Sequence, residues 1–349
     1  MRRTFVLLVV IMSMFISCSP RQKLIDSLVS AVAEGKFLFG HQDDLMYGHD
    51  WTAARAGDSL FLRSDVFDVT GCYPYILGLD LGGIELGSEC NLDGNDFGRM
   101  KAAALAHHER GGVLTFSWHL RNPLTGGDSW DVGKGDAVCS VLPGGSRHEM
   151  FVLWMDRVCD FLSGLRDEAG REIPVLWRPF HEHTGNWFWW CASECKAEEY
   201  NELWRMMYDY MVGTKGMKNL VWVISPSSSW INEFAERYPG DRYVDVVGLD
   251  CYSPTAVSIE EASVGFRSEL AICFDILGRF CSEHDKILAF CETGFEGIPD
   301  SKWWTEVLAP AIDGVPISYL LTWRNSNDIA NKDTHFFCAW PGQKSEDDF

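Results

Sequence analysis

The sequence predicts a (β/α)₈ barrel, a TIM barrel built as a single domain, and three observations carry that expectation. Short β-branched or apolar runs alternate with longer segments of helical spacing, the pattern of repeated βα units. The runs are nearly continuous in apolar residues, as strands are when helices cover both faces of a parallel sheet. Eight such units in a chain of 349 residues suit a barrel whose usual size is roughly 250 residues plus insertions. A doubly wound open sheet is the alternative way to arrange the same units.

The eight strand candidates are residues 36–41, 66–74, 112–119, 174–182, 220–226, 244–252, 287–293 and 318–325. Between them, residues 97–110, 147–166, 197–212 and 259–281 repeat apolar side chains at three- and four-residue steps, the spacing of an amphipathic helix. Long loops at 121–146 and 183–196 are expected to hang over one end of the barrel. The stretch after Pro226 is serine-rich and has no clear period.

Before the barrel, Arg2 and Arg3 precede an apolar run at 5–16 that is too short to span a bilayer and reads as an export signal. Phe15-Ile-Ser-Cys18 resembles a bacterial lipobox, so residues 1–18 are expected to be the signal, Cys18 the lipidated residue and 19–349 the catalytic domain. An ordinary secretory signal cleaved near Ser17 is the alternative. Ser-Pro-Arg-Gln-Lys after Cys18 lacks an acidic cluster that would favour surface display, so a periplasmic anchor is expected. Twelve cysteines less Cys18 leave an odd number at irregular spacing, and most are expected as buried thiols. Cys191 and Cys195, flanking a loop, are the one expected bridge.

Charge narrows the partners. Fifty acidic against thirty basic side chains give a net charge of −20, which repels nucleic acid and anionic lipid at long range. Fifteen Trp and ten Tyr supply flat apolar faces for stacking, and a neutral polymer of sugar rings meets no repulsion. The expected partner is therefore a carbohydrate met by a monomer, with membrane contact only through the lipid anchor.

In such a barrel the functional residues sit at the C-terminal ends of the strands. Those ends carry His41 and Gln42, then Asp80 beyond strand two, Trp118 and His119, His181 and Glu182, Asp250 and Tyr252, Glu292, and Trp323 with Arg324. Cleaving a glycosidic bond requires one protonated carboxyl and one ionised carboxylate. Glu182 and Glu292 each end an apolar strand and so leave the barrel beside one cavity. Trp187-Phe-Trp-Trp190 gives Glu182 surroundings that raise a carboxyl pKa, and a Tyr252 hydroxyl can hold Glu292 ionised. His-Glu-x-x-His, paired Cys-x-x-Cys, Gly-x-Gly-x-x-Gly and phosphate-loop motifs are all missing, so neither a metal nor a nucleotide cofactor is implied. The serines at 225–229 lack the Gly-x-Ser-x-Gly elbow of an esterase.

The run Trp177-Arg-Pro-Phe-His-Glu182-His-Thr-Gly-Asn-Trp187-Phe-Trp-Trp190 resembles glycoside hydrolase family 26, the β-mannanase family of clan A. Gly40-His41-Gln42, Phe116-Ser-Trp-His119-Leu-Arg-Asn-Pro123, Tyr238-Pro-Gly-Asp and Glu292-Thr-Gly294 extend the likeness over the mature chain. The resemblance implies retaining hydrolysis of mannan, galactomannan or manno-oligosaccharides, with Glu182 as acid/base and Glu292 as nucleophile. It implies that His181 lies near substrate and nucleophile, that Tyr252 bonds the nucleophile, and that Trp323 and Arg324 serve the glycone side. Trp187 is implied as the aromatic wall on the leaving-group side, His119 and Asp250 as polar cleft residues, and Arg178 and Asp80 as supports. Related family members that cut mixed-linkage β-glucan or β-1,3-xylan are the substrate alternative. A catalytically silent glycan-binding lipoprotein is the alternative of another class.

Overall fold

A computed structural model describes residues 19–55 and 57–349; the expected signal and the expected lipidation at Cys18 lie outside them. Eight parallel strands close on themselves: β1 (Leu38–Gln42), β2 (Ile76–Asp80), β3 (Val113–Trp118), β4 (Val175–Pro179), β5 (Leu220–Ile224), β6 in two pieces (Val246–Val247 and Asp250–Tyr252), β7 (Ile287–Gly294) and β8 (Ile317–Thr322). Each pairs with the next, and β8 closes the ring on β1 through Leu38↔Tyr319 to His41↔Thr322. The expected TIM barrel is the observed fold.

Alternation along the strands divides the core into two layers. Inward-facing Ile76, Leu176, Val221, Val223, Val246, Ala289, Tyr319 and Leu321 fill the barrel. Outward-facing Phe116, Trp177, Trp222 and Phe290 pack with Phe151, Trp204 and Phe266 from the helices His148–Ser163, Ala197–Tyr208 and Ile259–His284. An N-terminal helix, Pro20–Ala33, closes the floor. Ser19 caps it by accepting from the Gln22 N–H, and Leu24 and Leu28 join the inner layer. Arg21 anchors it with hydrogen bonds to the Leu220 carbonyl (2.8 Å) and to Asp245 (2.6 Å). The opposite, C-terminal end of the barrel stays open.

Three sequence expectations are corrected. Residues 66–74 were expected as the second strand, but Asp65–Thr70 is a helix and the strand lies at Ile76–Asp80. The β-branched run is overridden by its punctuation: Ser64 Oγ accepts from the Phe67 N–H, Asp65 and Asp68 favour the positive helix start, and Gly71 ends the helix at φ 75°. Strand four was expected to reach Glu182 and stops at Pro179. The expected Cys191–Cys195 bridge is absent, and the eleven cysteines among the described residues are free thiols. Cys191 Sγ donates to the Glu182 carbonyl at 3.3 Å and Cys195 Sγ to the Trp190 carbonyl at 3.4 Å. Both thiols thus serve the turn that follows strand four.

Because Leu28 is fully buried in the barrel floor, far from the open end, Leu28→Ala is expected to lower unfolding stability by about 2–5 kcal/mol while sparing the opposite face. Urea denaturation checks this, and a loss below about 1 kcal/mol would show that the floor relaxes freely.

Candidate active site

The open end is organised around a buried guanidinium. Arg178, 3% exposed, rises from β4 into the barrel mouth and donates through Nη1 to Asp250 Oδ2 at 2.9 Å and to Ser225 Oγ at 3.0 Å. Its Nη2 donates to Glu292 Oε1. Burial lowers the Arg178 pKa, but the Asp250 and Glu292 charges more than offset this and raise it well above the usual value. Tyr252 donates to the other oxygen of Glu292 at 2.8 Å; burial and the Glu292 charge push the phenol upward, so it keeps the proton it donates. Glu292 is therefore held from both sides as an acceptor. An oxygen each from Glu182, Asp250 and Glu292 lies within 4.8 Å of the others, and Arg178 already supplies the positive charge that a cation would bring between two of them.

Glu182 reaches the same space by a different route. Past Pro179 the chain turns sharply, with Phe180 at φ 48° and Glu182 at φ 54°, a region that costs a non-glycine residue about 1–3 kcal/mol. Glu182 N donates to the Ser225 carbonyl at 2.7 Å, Trp190 Nε1 to the His181 carbonyl at 2.8 Å and the Tyr200 hydroxyl to the Phe180 carbonyl at 3.1 Å. These bonds fix the strained turn. Burial first, and then the Glu292 charge, push the Glu182 carboxyl up to about 7, although Trp187 Nε1 donates to Oε2 at 2.5 Å and opposes the shift. One carboxyl is suited to holding a proton and the other is hydrogen-bonded on both oxygens. That division fits acid/base work beside a nucleophile.

A second chain of bonds orients the imidazoles. Asp80 accepts from Ser117 Oγ (2.6 Å), from the Gly82 N–H (2.7 Å) and from His119 Nδ1 (2.8 Å), and His119 Nε2 meets His181 Nε2 at 3.1 Å. Burial, the Arg178 charge and the His119 charge hold His181 well below the usual histidine range, so it stays neutral. Burial works against a charge on His119, but Asp80 raises it above the ordinary value. With His119 Nδ1 donating to Asp80, its Nε2 accepts from His181 Nε2–H when His119 is neutral and donates to that nitrogen when His119 is protonated. Both rings border a cleft of about 410 Å³ with Glu182, Trp187, Tyr252, Glu292 and Trp323.

Known proteins resemble this chain in sequence and fold. The glycosyl hydrolase family 26 model matches residues 18–270. This chain belongs to glycosyl hydrolase family 26. A family 26 beta-mannanase from Bacteroides ovatus is 43% identical with a TM-score of 0.87, over 95% of this chain and 91% of that one. The catalytic domain of a family 26 endo-beta-1,4-mannanase from Bacillus sp. JAMB-750 is 30% identical with a TM-score of 0.81, over 95% of this chain and 89% of that one. A mannan endo-1,4-beta-mannosidase of Bifidobacterium adolescentis is 30% identical over 346 residues, covering 92% of this chain and 34% of the relative, so the chain spans about a third of that protein's length.

Within this family 26 barrel the remaining sequence-read positions fall in three places. Trp323 follows β8 and borders the cleft, its N–H donating to the Thr293 carbonyl at 3.0 Å. Arg324 lies further along, where its Nη1 donates to the Tyr47 hydroxyl at 3.3 Å and its Nη2 pairs with Asp93 at 3.1 Å. Asp250, expected as a cleft residue, is instead 1% exposed and sits just below the cleft surface in the barrel mouth, where Arg178 and Ser225 bond its carboxylate. Of the aromatic run, Trp187 and Phe188 reach the cleft, whereas Trp189 and Trp190 are buried behind it.

Several site residues escaped sequence reading. Ser225 is strand five's contribution: its hydroxyl links Arg178 to Asp250, and it stands where the strand-end rule points. Trp130, from the long loop after β3, stacks on His119 at 5.3 Å and borders the cleft; nothing local marks it out among fifteen tryptophans. Asp43, Tyr47 and Asp93 gather around Arg324, with Tyr47 donating to Asp43 at 2.8 Å. Glu296 and His335, hydrogen-bonded at 2.6 Å, form the far rim.

Two outcomes follow. Arg178→Met leaves Asp250 and Glu292 buried without a cation and should cost about 3–5 kcal/mol in urea unfolding. A loss under about 1 kcal/mol would mean that the acids take up protons and tolerate the change. Trp187→Phe removes a bond that favours the Glu182 carboxylate, so the Glu182 titration should move to higher pH. Carbon-13 NMR of labelled glutamate reads the direction, and a downward movement contradicts the assignment.

Proposed function

We propose that this protein is a retaining β-mannanase that hydrolyses β-1,4-mannosidic bonds in mannan, galactomannan or manno-oligosaccharides by double displacement. The observation that carries the reading is the pairing of Glu182 and Glu292 with oxygens within 4.8 Å and in opposite environments. Retaining sites place their carboxyls about 5–5.5 Å apart, whereas inverting sites need roughly 6.5–9.5 Å to admit a water. The close approach supports direct attack.

In the first step Glu292 attacks the anomeric carbon while Glu182 gives its proton to the departing oxygen, leaving a covalent glycosyl-enzyme. Glu182 then takes a proton from the incoming water and the intermediate is released. Arg178 and Tyr252 limit charge build-up and movement at Glu292, and Trp187 ties Glu182 to the leaving-group side. Mannan as the substrate rests on the named relatives, and the paired acids favour an enzyme over a glycan-capture protein. Export behind a lipidated Cys18, supported by Arg2, Arg3 and the apolar run before it, periplasmic placement and monomeric action complete the proposal.

Glu292→Ala should abolish turnover, and Glu182→Ala should lower kcat/KM on mannan by about 10²–10⁴-fold, with a smaller loss on aryl substrates whose leaving group needs no proton. Activity should fall as pH rises through about 7, where Glu182 loses its proton. NMR of the first product from linear mannan should show the β-anomer. An α-anomer, or no hydrolysis of mannan or galactomannan, overturns the reading. The same time course separates internal cleavage from release of mannobiose alone at a chain end.

A further inference from the structure

On the far side of the Glu182 turn lies a second, smaller hollow of about 270 Å³. Thr184, Gly185, Asn186 and Ser193 form one side, Trp230 and Glu233 the other. The hollow and the catalytic cleft share a wall. Gly185 donates its N–H to the Glu182 carbonyl at 2.9 Å, and the Trp187 indole lies over Gly185 so closely that a Cβ there would fall 2.6 Å from it. Thr184 Oγ1 donates to the Ser227 carbonyl at 3.1 Å, tying this turn to the segment that carries Trp230. Glu182 faces the leaving group in the proposed reaction, so space beyond Trp187 continues the cleft on that side.

Trp230 is unusual in this setting. Its side chain is 52% exposed, and among the described residues its indole has neither a hydrogen bond nor a ring neighbour. Its backbone stands at φ 53°, ψ 34°, a left-handed conformation that a bulky residue keeps only when its surroundings impose it. The surroundings here are the serine run. Ser228 N donates to the Asp250 carbonyl at 2.9 Å, Ser229 N to Ser227 Oγ at 3.1 Å, and Glu233 N closes the turn on the Trp230 carbonyl at 2.9 Å. A short strut pinned to the rim of β6 thus holds an otherwise idle aromatic face out to solvent beside the cleft.

Flat apolar rings ringed by a few polar groups are how proteins orient a sugar, and Asn186, Ser193 and Glu233 provide the polar edge. At about 270 Å³ the hollow falls just below the roughly 300–1,000 Å³ of drug-sized sites, which suits one pyranose ring and not a chain segment. We propose that Trp230 is a distal sugar platform on the leaving-group side, taking a hexose unit of the β-linked chain beyond the unit at Trp187. This rests on the retaining β-mannanase reading.

The test compares wild type, Trp230→Ala and Trp230→Phe on mannohexaose and on an aryl β-mannobioside whose leaving group extends no further than Trp187. Trp230→Ala should lower kcat/KM on mannohexaose about tenfold more than on the aryl substrate, equivalent to about 1.4 kcal/mol of lost binding. Trp230→Phe should restore most of the difference, and the position of the bond cut in mannohexaose should shift in Trp230→Ala alone. Equal losses on both substrates, or no loss on either, overturn the proposal. Wild-type failure on both substrates would instead refute the underlying reading.

Discussion

Two carboxylates, Asp250 and Glu292, enter the barrel mouth above an apolar interior, and the single charge that lets them remain there is Arg178. Burying an anion without a partner costs several kcal/mol, and burying two beside each other costs more. A guanidinium answers both because its planar fork presents donors in two directions at once, which an ammonium does not. The consequence reaches beyond charge. Arg178 comes from β4, Ser225 from the end of β5, Asp250 from β6 and Glu292 from β7, so one side chain sets the spacing of four adjacent strands at the open end. Burial and the neighbouring Glu292 charge push Asp250 well above the usual carboxylate range, while Arg178 pulls it back.

Glu182 is positioned by the reverse strategy. Among the described residues no cation pairs with it. It stands on a turn with two residues in the left-handed region, held by a backbone bond to Ser225 and by the buried ring of Trp190. The turn lifts Glu182 off the strand axis and towards Trp187, so the side chain meets Glu292 across the cleft while avoiding Arg178. Ser225 serves both arrangements, its carbonyl receiving Glu182 N and its hydroxyl joining Arg178 to Asp250. The two acids thus share a structural reference point and differ in what neutralises them.

The barrel and its two acids were legible because strand ends follow simple rules: an apolar run, then a polar residue at the rim. The same rules failed where local chemistry outweighed pattern. Val66 to Thr70 looks like a strand until Ser64 and Gly71 are weighed as caps, and Pro174 to Glu182 looks continuous although Phe180 has turned through a strained conformation. Asp250 was legible as a strand-end acid but not as a buried one, since its depth depends on Arg178, 72 residues away. Cys191 and Cys195 have the spacing of a loop bridge, yet each thiol is committed to a carbonyl, and burial holds Cys191 protonated by pushing it up to about 12. Trp130 and Asp93 come from loops, and Tyr47 from a two-residue strand paired with Trp51–Thr52, none of which a periodicity encodes.

The device at Arg178 recurs one residue past Trp323, at Arg324. Arg324 pairs with Asp93 and bonds Tyr47, which in turn bonds Asp43, again one guanidinium with two acids, Asp43 buried and Asp93 half-buried. Burial and the Asp93 charge push Asp43 up to about 8, and burial raises Asp93 as well, while the Arg324 charge pulls both down. His181 is neutral and His119 is balanced by Asp80. A protein of net charge −20 therefore presents a binding surface in which fixed charges are cancelled in pairs close to where they arise. Such a surface exerts little pull on ions and leaves hydrogen-bond direction and aromatic stacking as the means of holding a ligand, which is what an uncharged sugar chain requires.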